Sequence, residues 1–291
     1  MNKTLTLLFN ILIFSTLQGQ SVSEKIAIDA CKYLDSINDI KILQDSIRGS
    51  ITKSMANVMM EGSLDERKQI TTVEGIRGTI KKAYDILPSY CYNVRRLVIE
   101  NKKTKFYGLS SNFEANKYFD KGNDYLDSKK FKKAIKEFKS AIKLDPNFIY
   151  AIDHLAISYR IQEDYNSAVK YYKKSLEIFP EGNVALLNIA VCYSKLEDDE
   201  NSIKKYAELK FLYPNDPEGY FGLAKMLLIK EDYENALDNL FIAHRIYLEA
   251  NSEYQKDSQK LFEFISAKLE ELGKSELIER KAKENNITIK E

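Results

Sequence analysis

The sequence predicts an all-α fold, in which a superhelix of paired α-helices follows a small helical bundle. The chain of 291 residues contains only 11 glycines and 5 prolines, which argues against a turn-rich β-sandwich. Apolar residues recur at helical spacing along most of the chain, and in its second half the whole pattern repeats at a constant interval. Hydrophobic residues make up 44% of the chain and charged residues 30%, so the chain can bury an ordinary core.

Residues 1–19 have the order of features that is typical of a secretory signal peptide. An early cation, Lys3, is followed by an apolar run from Leu5 to Phe14 and by the small residue Gly19. An uncleaved membrane anchor is the alternative, although a spanning helix needs about 20 apolar residues. We therefore expect an exported protein, periplasmic or secreted, with no integral membrane span after cleavage.

Residues 20–110 are predicted to form the small helical bundle, because apolar residues fall on one helical face in four successive segments. These faces are Ala27, Ala30, Cys31, Leu34 and Ile37; Leu43, Ile47, Ile51, Met55 and Val58; Val73, Ile76, Ile80, Ala83 and Leu87; and Val94, Leu97 and Val98. Pro88 is expected to close the third helix. In an oxidising compartment Cys31 and Cys91 are expected to form a disulfide, the alternative being two buried free thiols.

Residues 111–250 contain the repeats. Pro146, Pro180 and Pro214 are evenly spaced along the sequence, and each is placed to end a helix. We call the sequence interval between successive prolines of this set the repeat period. The same period links Ala134, Ala168, Ser202 and Ala236; Gly122, Ala156, Ala190 and Ala224; Tyr125, Tyr159, Tyr193 and Leu227; and Phe138, Tyr172, Tyr206 and Leu240. Each period holds two apolar segments of ordinary helix length. The small residues allow two helices to approach closely, and the aromatic residues fill the wider gaps.

This pattern resembles the tetratricopeptide repeat over residues 115–148, 149–182, 183–216 and 217–250. The fourth run departs from the pattern, because Leu227, Leu240 and Leu248 stand where the others have a tyrosine, an aromatic residue and a proline. The resemblance implies a right-handed superhelix of helix pairs, in which the first helix of each pair lines a concave groove. It also implies that the groove binds a protein or a peptide.

The resemblance further implies which residues line the groove. They are Asn116, Phe119, Asn123, Tyr150, Asp153, His154, Ile157, Leu187, Asn188, Phe221 and Lys225. This mixture of aromatic, aliphatic and polar side chains suits an extended peptide or a helix. It lacks the set of cations with which some members of the family clamp a terminal carboxylate. Alternatively, Phe119, Leu187 and Phe221 mainly pack against neighbouring repeats.

Residues 251–291 are predicted to be a capping helix and a tail. Tyr254, Leu261, Ile265, Leu269 and Leu272 form one apolar stripe that Gly273 ends, and such a helix covers the last apolar face of a repeat array. The segment 275–285 is charged nearly all round, so we expect it to fray.

The composition also limits the function. Lys and Arg number 44 against 43 Asp and Glu, which argues against a nucleic-acid binder. The chain has two histidines and no metal-site, phosphate-loop or nucleophile motif, so we expect no catalysis, no metal and no cofactor. Four lysines form a strip at helical spacing: Lys132, Lys136, Lys139 and Lys143. We expect this strip to be a solvated convex face; the alternative is a strip that binds anions or lipid headgroups.

The function expected from the sequence is therefore a non-catalytic scaffold of the cell envelope that binds a protein or peptide partner in its concave groove. The alternative is a structural envelope component that assembles with its own copies through the repeats. The sequence leaves the oligomeric state open.

Overall fold

The computed structural model describes residues 20–287, so the predicted signal peptide lies outside the described residues. Residues 20–287 fold into fifteen α-helices without a β-strand. The chain divides into two compact units, Met1–Lys105 and Phe106–Glu291. Among the helices of the described part, none combines the length and the apolar character that crossing a membrane requires.

The first unit contains the predicted bundle. Its helices are α1 (Val22–Lys32), α2 (Ile40–Glu61), α3 (Leu64–Lys68), α4 (Val73–Tyr90) and α5 (Tyr92–Phe106). The last residue of α5, Phe106, already belongs to the second unit. Side chains of Ser21, Asp39, Ser63 and Thr72 accept hydrogen bonds from the first turns of α1 to α4. These caps satisfy backbone N–H groups that would otherwise lack partners. The short α3 lies in a segment that the apolar pattern leaves as a loop.

A single core holds this unit together, with α1 packed against both α2 and α4. Ile26, Leu43 and Leu87 are fully buried in it. A disulfide joins Cys31 of α1 to Cys91, which follows α4, with the two Cα atoms 5.3 Å apart. The predicted disulfide is therefore present in the structure.

Two details of α4 differ from the prediction. The helix continues through Pro88 to Tyr90; the proline lies in the last turn, and only two helical residues follow it. The Pro88 carbonyl accepts a hydrogen bond from Arg95 Nη1 at 2.8 Å, which satisfies it locally. Val73, assigned to the apolar face, lies at the first turn and is exposed.

The second unit is a stack of helical hairpins. The pairs are α6 (Phe113–Asp127) with α7 (Phe131–Leu144), α8 (Ile149–Ile161) with α9 (Tyr165–Ile178), α10 (Asn183–Lys195) with α11 (Asp199–Leu212), and α12 (Pro217–Ile229) with α13 (Tyr233–Glu249). Each helix contacts its hairpin partner and the adjoining hairpin. The predicted all-α superhelical fold is confirmed, with one hairpin for each predicted repeat.

Glycines allow the closest approaches between these helices. A Cβ at Gly122 would lie 2.4 Å from the Phe138 ring, and a Cβ at Gly222 would lie 2.1 Å from the Tyr206 ring. Both rings are buried, as is Tyr172 at the equivalent position of the second repeat. The aromatic ladder therefore fills the space between helices, and two of its rings lie directly against a glycine.

The turn inside each hairpin has the same backbone conformation. Lys129, Glu163, Glu197 and Glu231 have φ values of 56°, 61°, 59° and 59°, in the left-handed region that side chains other than glycine rarely adopt. These four residues lie one repeat period apart, so the same turn recurs at the same position in each hairpin.

Two further helices follow the fourth hairpin. In α14 (Gln255–Glu271), the buried Ser258 lies one repeat period after Ala224, so this helix takes the place of a fifth first helix. Gly273, with φ at 65°, ends it as predicted. Residues 275–285 were expected to fray. In the structure, this segment instead forms a helix, α15 (Glu276–Glu284), which packs on α13. Lys281 Nζ lies 2.7 Å from the Asp238 carboxylate, which anchors α15 there.

Candidate functional site

The candidate site is the face of the first helices, on which every predicted groove residue falls into a column of positions spaced by the repeat period. The columns are Asn116, Tyr150, Val184 and Glu218; Phe119, Asp153, Leu187 and Phe221; Asp120, His154, Asn188 and Gly222; and Asn123, Ile157, Val191 and Lys225. Neighbouring columns make contact across hairpins. The Phe119 ring lies 5.1 Å from the His154 ring and 6.1 Å from the Tyr150 ring.

A short segment that precedes the first hairpin covers one part of this face. We call this segment, Phe106–Asn112, the strap. Its Phe106 ring stacks on Phe179 at 5.4 Å, and its Tyr107 ring lies 5.3 Å from Tyr150. The Tyr107 hydroxyl donates a hydrogen bond of 3.0 Å to the Asp153 carboxylate. Through these contacts the strap lies along the second hairpin as far as Phe179, the residue that follows α9 and precedes the third hairpin.

The strap is also fixed to the first hairpin. Ser110 Oγ donates a hydrogen bond of 2.5 Å to Asp145, and the Ser110 backbone exchanges two hydrogen bonds with the Asn116 amide. Asn116 therefore binds the chain's own backbone through both of its amide atoms. In this structure it holds the strap and does not face an open groove.

Two predicted groove residues are buried. Phe119 is 7% exposed among Phe138, Phe148 and Tyr150, and Asp153 is 1% exposed beneath Tyr107. In this structure neither residue lines an accessible surface. For Phe119, the packing alternative raised by the sequence agrees with this position. The reason lies in the strap and the adjoining aromatic rings, which occupy the space that a partner would need.

Burial changes the electrostatics of this covered part. Removal from water raises the pKa of the Asp153 carboxyl to about 6, although the nearby hydroxyl groups of Ser175 and Tyr107 oppose the rise. Burial also raises the pKa of the Tyr107 hydroxyl, and the nearby Asp153 charge adds to the effect. Both groups therefore favour their neutral forms more than they would in water.

His154 and Asn123 form a second internal pair. His154 Nδ1 lies 2.6 Å from Asn123 Oδ1, and the imidazole meets the Phe138 ring edge-on at 5.6 Å. Burial lowers the pKa of His154, which favours the neutral imidazole. The neutral ring then donates to the amide oxygen, so both predicted groove residues are used to join the first two hairpins.

The remaining predicted residues lie farther along the stack, where the strap does not cover them. Together with Val184 and Val191 of the same columns they form what we call the open groove; it consists of Ile157, Val184, Leu187, Asn188, Val191, Phe221 and Lys225. Its apolar side chains are half-buried. Asn188 donates a hydrogen bond to the Val184 carbonyl at 2.8 Å. This leaves a mainly aliphatic surface on three successive first helices.

A cation stands at one end of the open groove. Lys225 Nζ lies 4.6 Å from the centre of the Phe221 ring, whose other side meets Tyr247 edge-on at 5.9 Å. Desolvation lowers the pKa of Lys225, while the carboxylates of Glu218 and Asp257 act in the opposite direction. The arrangement offers an apolar surface next to a positive charge.

The described residues offer little for a metal ion. Within residues 20–287, one group brings three potential ligand atoms within 4.8 Å of one another, and it consists of Cys31, Asp35 and Cys91. The two sulfur atoms of this group are already bonded to each other in the disulfide.

Sequence reasoning missed the strap. It predicted α14 as a capping helix but did not place it as a fifth first helix, although Ser258 and Leu261 lie one repeat period after Ala224 and Leu227. The signal for the strap was weaker: Phe106 and Tyr107 are adjacent aromatic residues in an otherwise polar stretch that lies before the first repeat.

The family comparison agrees with this architecture. Residues 115–148, 150–181 and 184–216 each match the tetratricopeptide repeat. These segments are the first three predicted repeats, and the fourth is represented by the pair α12 and α13. A search of curated proteins gave no match.

The comparison with solved structures found similarity to two kinds of protein. A crystal structure of MamA is 18% identical, with a TM-score of 0.44, covering 55% of this chain and 94% of that one. MamA from Desulfovibrio magneticus RS-1, residue 41 to the end, is 14% identical, with a TM-score of 0.45 and coverages of 54% and 96%. The Yersinia enterocolitica type III secretion translocator chaperone SycD is 20% identical, with a TM-score of 0.40 and coverages of 42% and 93%.

Proposed function

We propose that this chain, which contains three tandem tetratricopeptide repeats, is a non-catalytic scaffold that binds a partner protein through the open groove. One observation carries the proposal: apolar side chains on three successive first helices stay partly exposed in a stretch that the strap does not cover. Ile157, Leu187 and Val191 are its centre. Apolar surface of this kind gains free energy when a partner side chain replaces water.

The surface favours a segment of chain over a small molecule. Its side chains are spread along several helices, which suits an extended peptide or one face of a helix. The cation of Lys225 beside the Phe221 ring would favour a partner residue that is apolar or carries a carboxylate. The strap limits the binding region to the later hairpins.

We also propose that the protein works outside the cytoplasm, in the periplasm or after secretion. Residues 1–19 have the pattern of a signal peptide. The disulfide between Cys31 and Cys91 supports the same proposal, since such bonds persist in oxidising compartments.

The test is selection of peptides from a random phage-displayed library on the purified chain, followed by fluorescence anisotropy with the selected peptides. Val191→Asp places a carboxylate in the open groove and should weaken binding about tenfold or more, because it must be desolvated by the partner. Ala207→Asp is the matched control, since it adds the same carboxylate to an exposed site on α11. It should leave affinity unchanged.

Thermal melting of both variants separates lost binding from lost folding. Equal affinity for the chain and for its Val191→Asp variant would place the binding site elsewhere. Failure to enrich any peptide would argue against recognition of a linear segment.

A further inference from the structure

The turns inside the hairpins form a row along one edge of the repeat stack. We call this row the turn edge; it consists of residues 129–133, 163–167, 197–201 and 231–235. Each turn begins with a residue in the left-handed conformation, and each leads into the second helix of its hairpin. The four turns therefore present equivalent positions with the same backbone geometry.

The charge on the turn edge reverses along the stack. The first turn carries Lys129, Lys130, Lys132 and Lys133, whereas the third carries Glu197, Asp198, Asp199 and Glu200. The surrounding repeats follow the same trend. Residues 115–148 contain nine lysines and five acidic residues, and residues 183–216 contain four basic and six acidic residues.

Helix stability does not account for the lysine turn. Asp164, Asp198 and Asp232 cap the second helices of their hairpins by accepting a backbone hydrogen bond. Lys130 stands at the equivalent position of the first hairpin and makes no such bond. Lysines at the N-terminus of a helix oppose its dipole, so this turn gives up a stabilising cap and adds a repulsion.

The outermost charges of both turns remain available. Lys129, Lys132, Glu197 and Glu200 are exposed, and within residues 20–287 none of the four forms a salt bridge. Asp199 of the third turn pairs with Lys230 at 2.7 Å. In the fourth turn, Glu234 pairs with Arg280 at 3.3 Å. The second and fourth turns also have exposed acidic residues, but the third turn has four acidic residues, more than any other turn of the edge.

We infer that the turn edge is an interface between two copies of this chain, in which the lysine turn of one copy lies against the acidic third turn of the other. Both turns belong to the same edge, so two copies related by a two-fold axis make this contact twice. The opposite charges set the pairing, and the repeated backbone geometry gives both turns the same outline. This interface leaves the open groove free, so it is independent of the proposed partner binding.

The interface is weak and sensitive to salt. Exposed ion pairs contribute little individually, and added salt screens them over about 10 Å. Sedimentation velocity at low salt should therefore detect reversible dimers at micromolar to millimolar concentrations, and added salt should dissociate them.

Reciprocal charge reversal tests the pairing. One variant carries Lys129→Glu with Lys132→Glu, and the other carries Glu197→Lys with Glu200→Lys. Each variant alone should associate at least about tenfold more weakly, because the changed turn then carries no net charge and no longer attracts its partner turn. An equimolar mixture of the two should recover much of the association, because one contact of the mixed pair is unchanged and the other places the introduced glutamates opposite the introduced lysines.

A matched control uses Lys170→Glu with Lys204→Glu, which changes the net charge as the lysine variant does but on exposed parts of α9 and α11. It should dimerise like the unchanged chain. The inference fails if the unchanged chain stays monomeric at low salt and near-millimolar concentration. It also fails if the control loses association equally, or if the mixture does not recover it.

Discussion

Asp153 carries a carboxyl group whose ionisation opposes folding. Its pKa rises from about 3.9 in an unfolded chain to about 6 in the folded protein, because burial disfavours the charge. Between these two values the folded state binds more protons than the unfolded state. The free energy of unfolding should therefore fall as pH rises from about 4 to 6, by about 2–3 kcal/mol from this group.

Asp153→Asn should remove this dependence while keeping an oxygen that accepts the hydrogen bond from Tyr107. Urea unfolding of both proteins at several pH values checks the prediction. The free energy of unfolding of the unchanged chain, minus that of the variant, should fall between pH 4 and 6. Above pH 6 this difference should stay constant. Two parallel stability curves would mean that Asp153 titrates as it does in water.

Single residues also mark where sequence reasoning reached its limit. The columns of equivalent positions placed all eleven groove candidates on the first helices. They could not reveal that Asp153 is covered, because Tyr107, which covers it, lies outside the repeat pattern. Contacts between a repeat and a non-repeating segment leave no periodic signal.

At the scale of helices, close packing at glycine should control the stability of the hairpins. Gly222→Ala would bring a methyl group 2.1 Å from the Tyr206 ring between α11 and α12. We expect it to destabilise the second unit by about 1–3 kcal/mol, since the ring must move within a filled core.

Gly78→Ala is the control for helix propensity. Gly78 lies within α4, and a Cβ there would meet no atom within 4 Å. This substitution should stabilise the first unit by about 0.5–1 kcal/mol. Denaturant unfolding followed by circular dichroism measures both effects. A stabilising Gly222→Ala would contradict the close approach.

Helices that repeat were predicted well, and helices that do not repeat were predicted less well. The four hairpins follow from ladders of small and aromatic residues, each supported by several equivalent positions. By contrast, α15 was expected to fray because its own sequence is charged. Leu277, Ile278 and Ala282 pack into a core formed with α12, α13 and α14. Lys281 also pairs with Asp238 on α13, and no local pattern reveals either contact.

For the molecule as a whole, the disulfide should stabilise one unit selectively. The bond between Cys31 and Cys91 closes a loop with a sequence separation of 60 within the first unit. Cys31→Ser with Cys91→Ser should cost about 4 kcal/mol through the greater entropy of the unfolded chain.

Calorimetry can assign this loss to its unit. The double variant should lower the melting transition of the first unit and leave that of the repeats in place. A shift of every transition by the same amount would mean that the two units unfold together.

The strap has a consequence for how the repeats unfold. In a simple repeat array each hairpin contacts only its neighbours, so the ends fray independently and folding propagates step by step. The hydrogen bond from Tyr107 joins residues 46 positions apart, and Phe106 reaches the boundary of the third hairpin. Opening the first hairpin therefore requires that these distant contacts break as well. The first two hairpins should exchange their amide hydrogens as one cooperative block rather than as a frayed end.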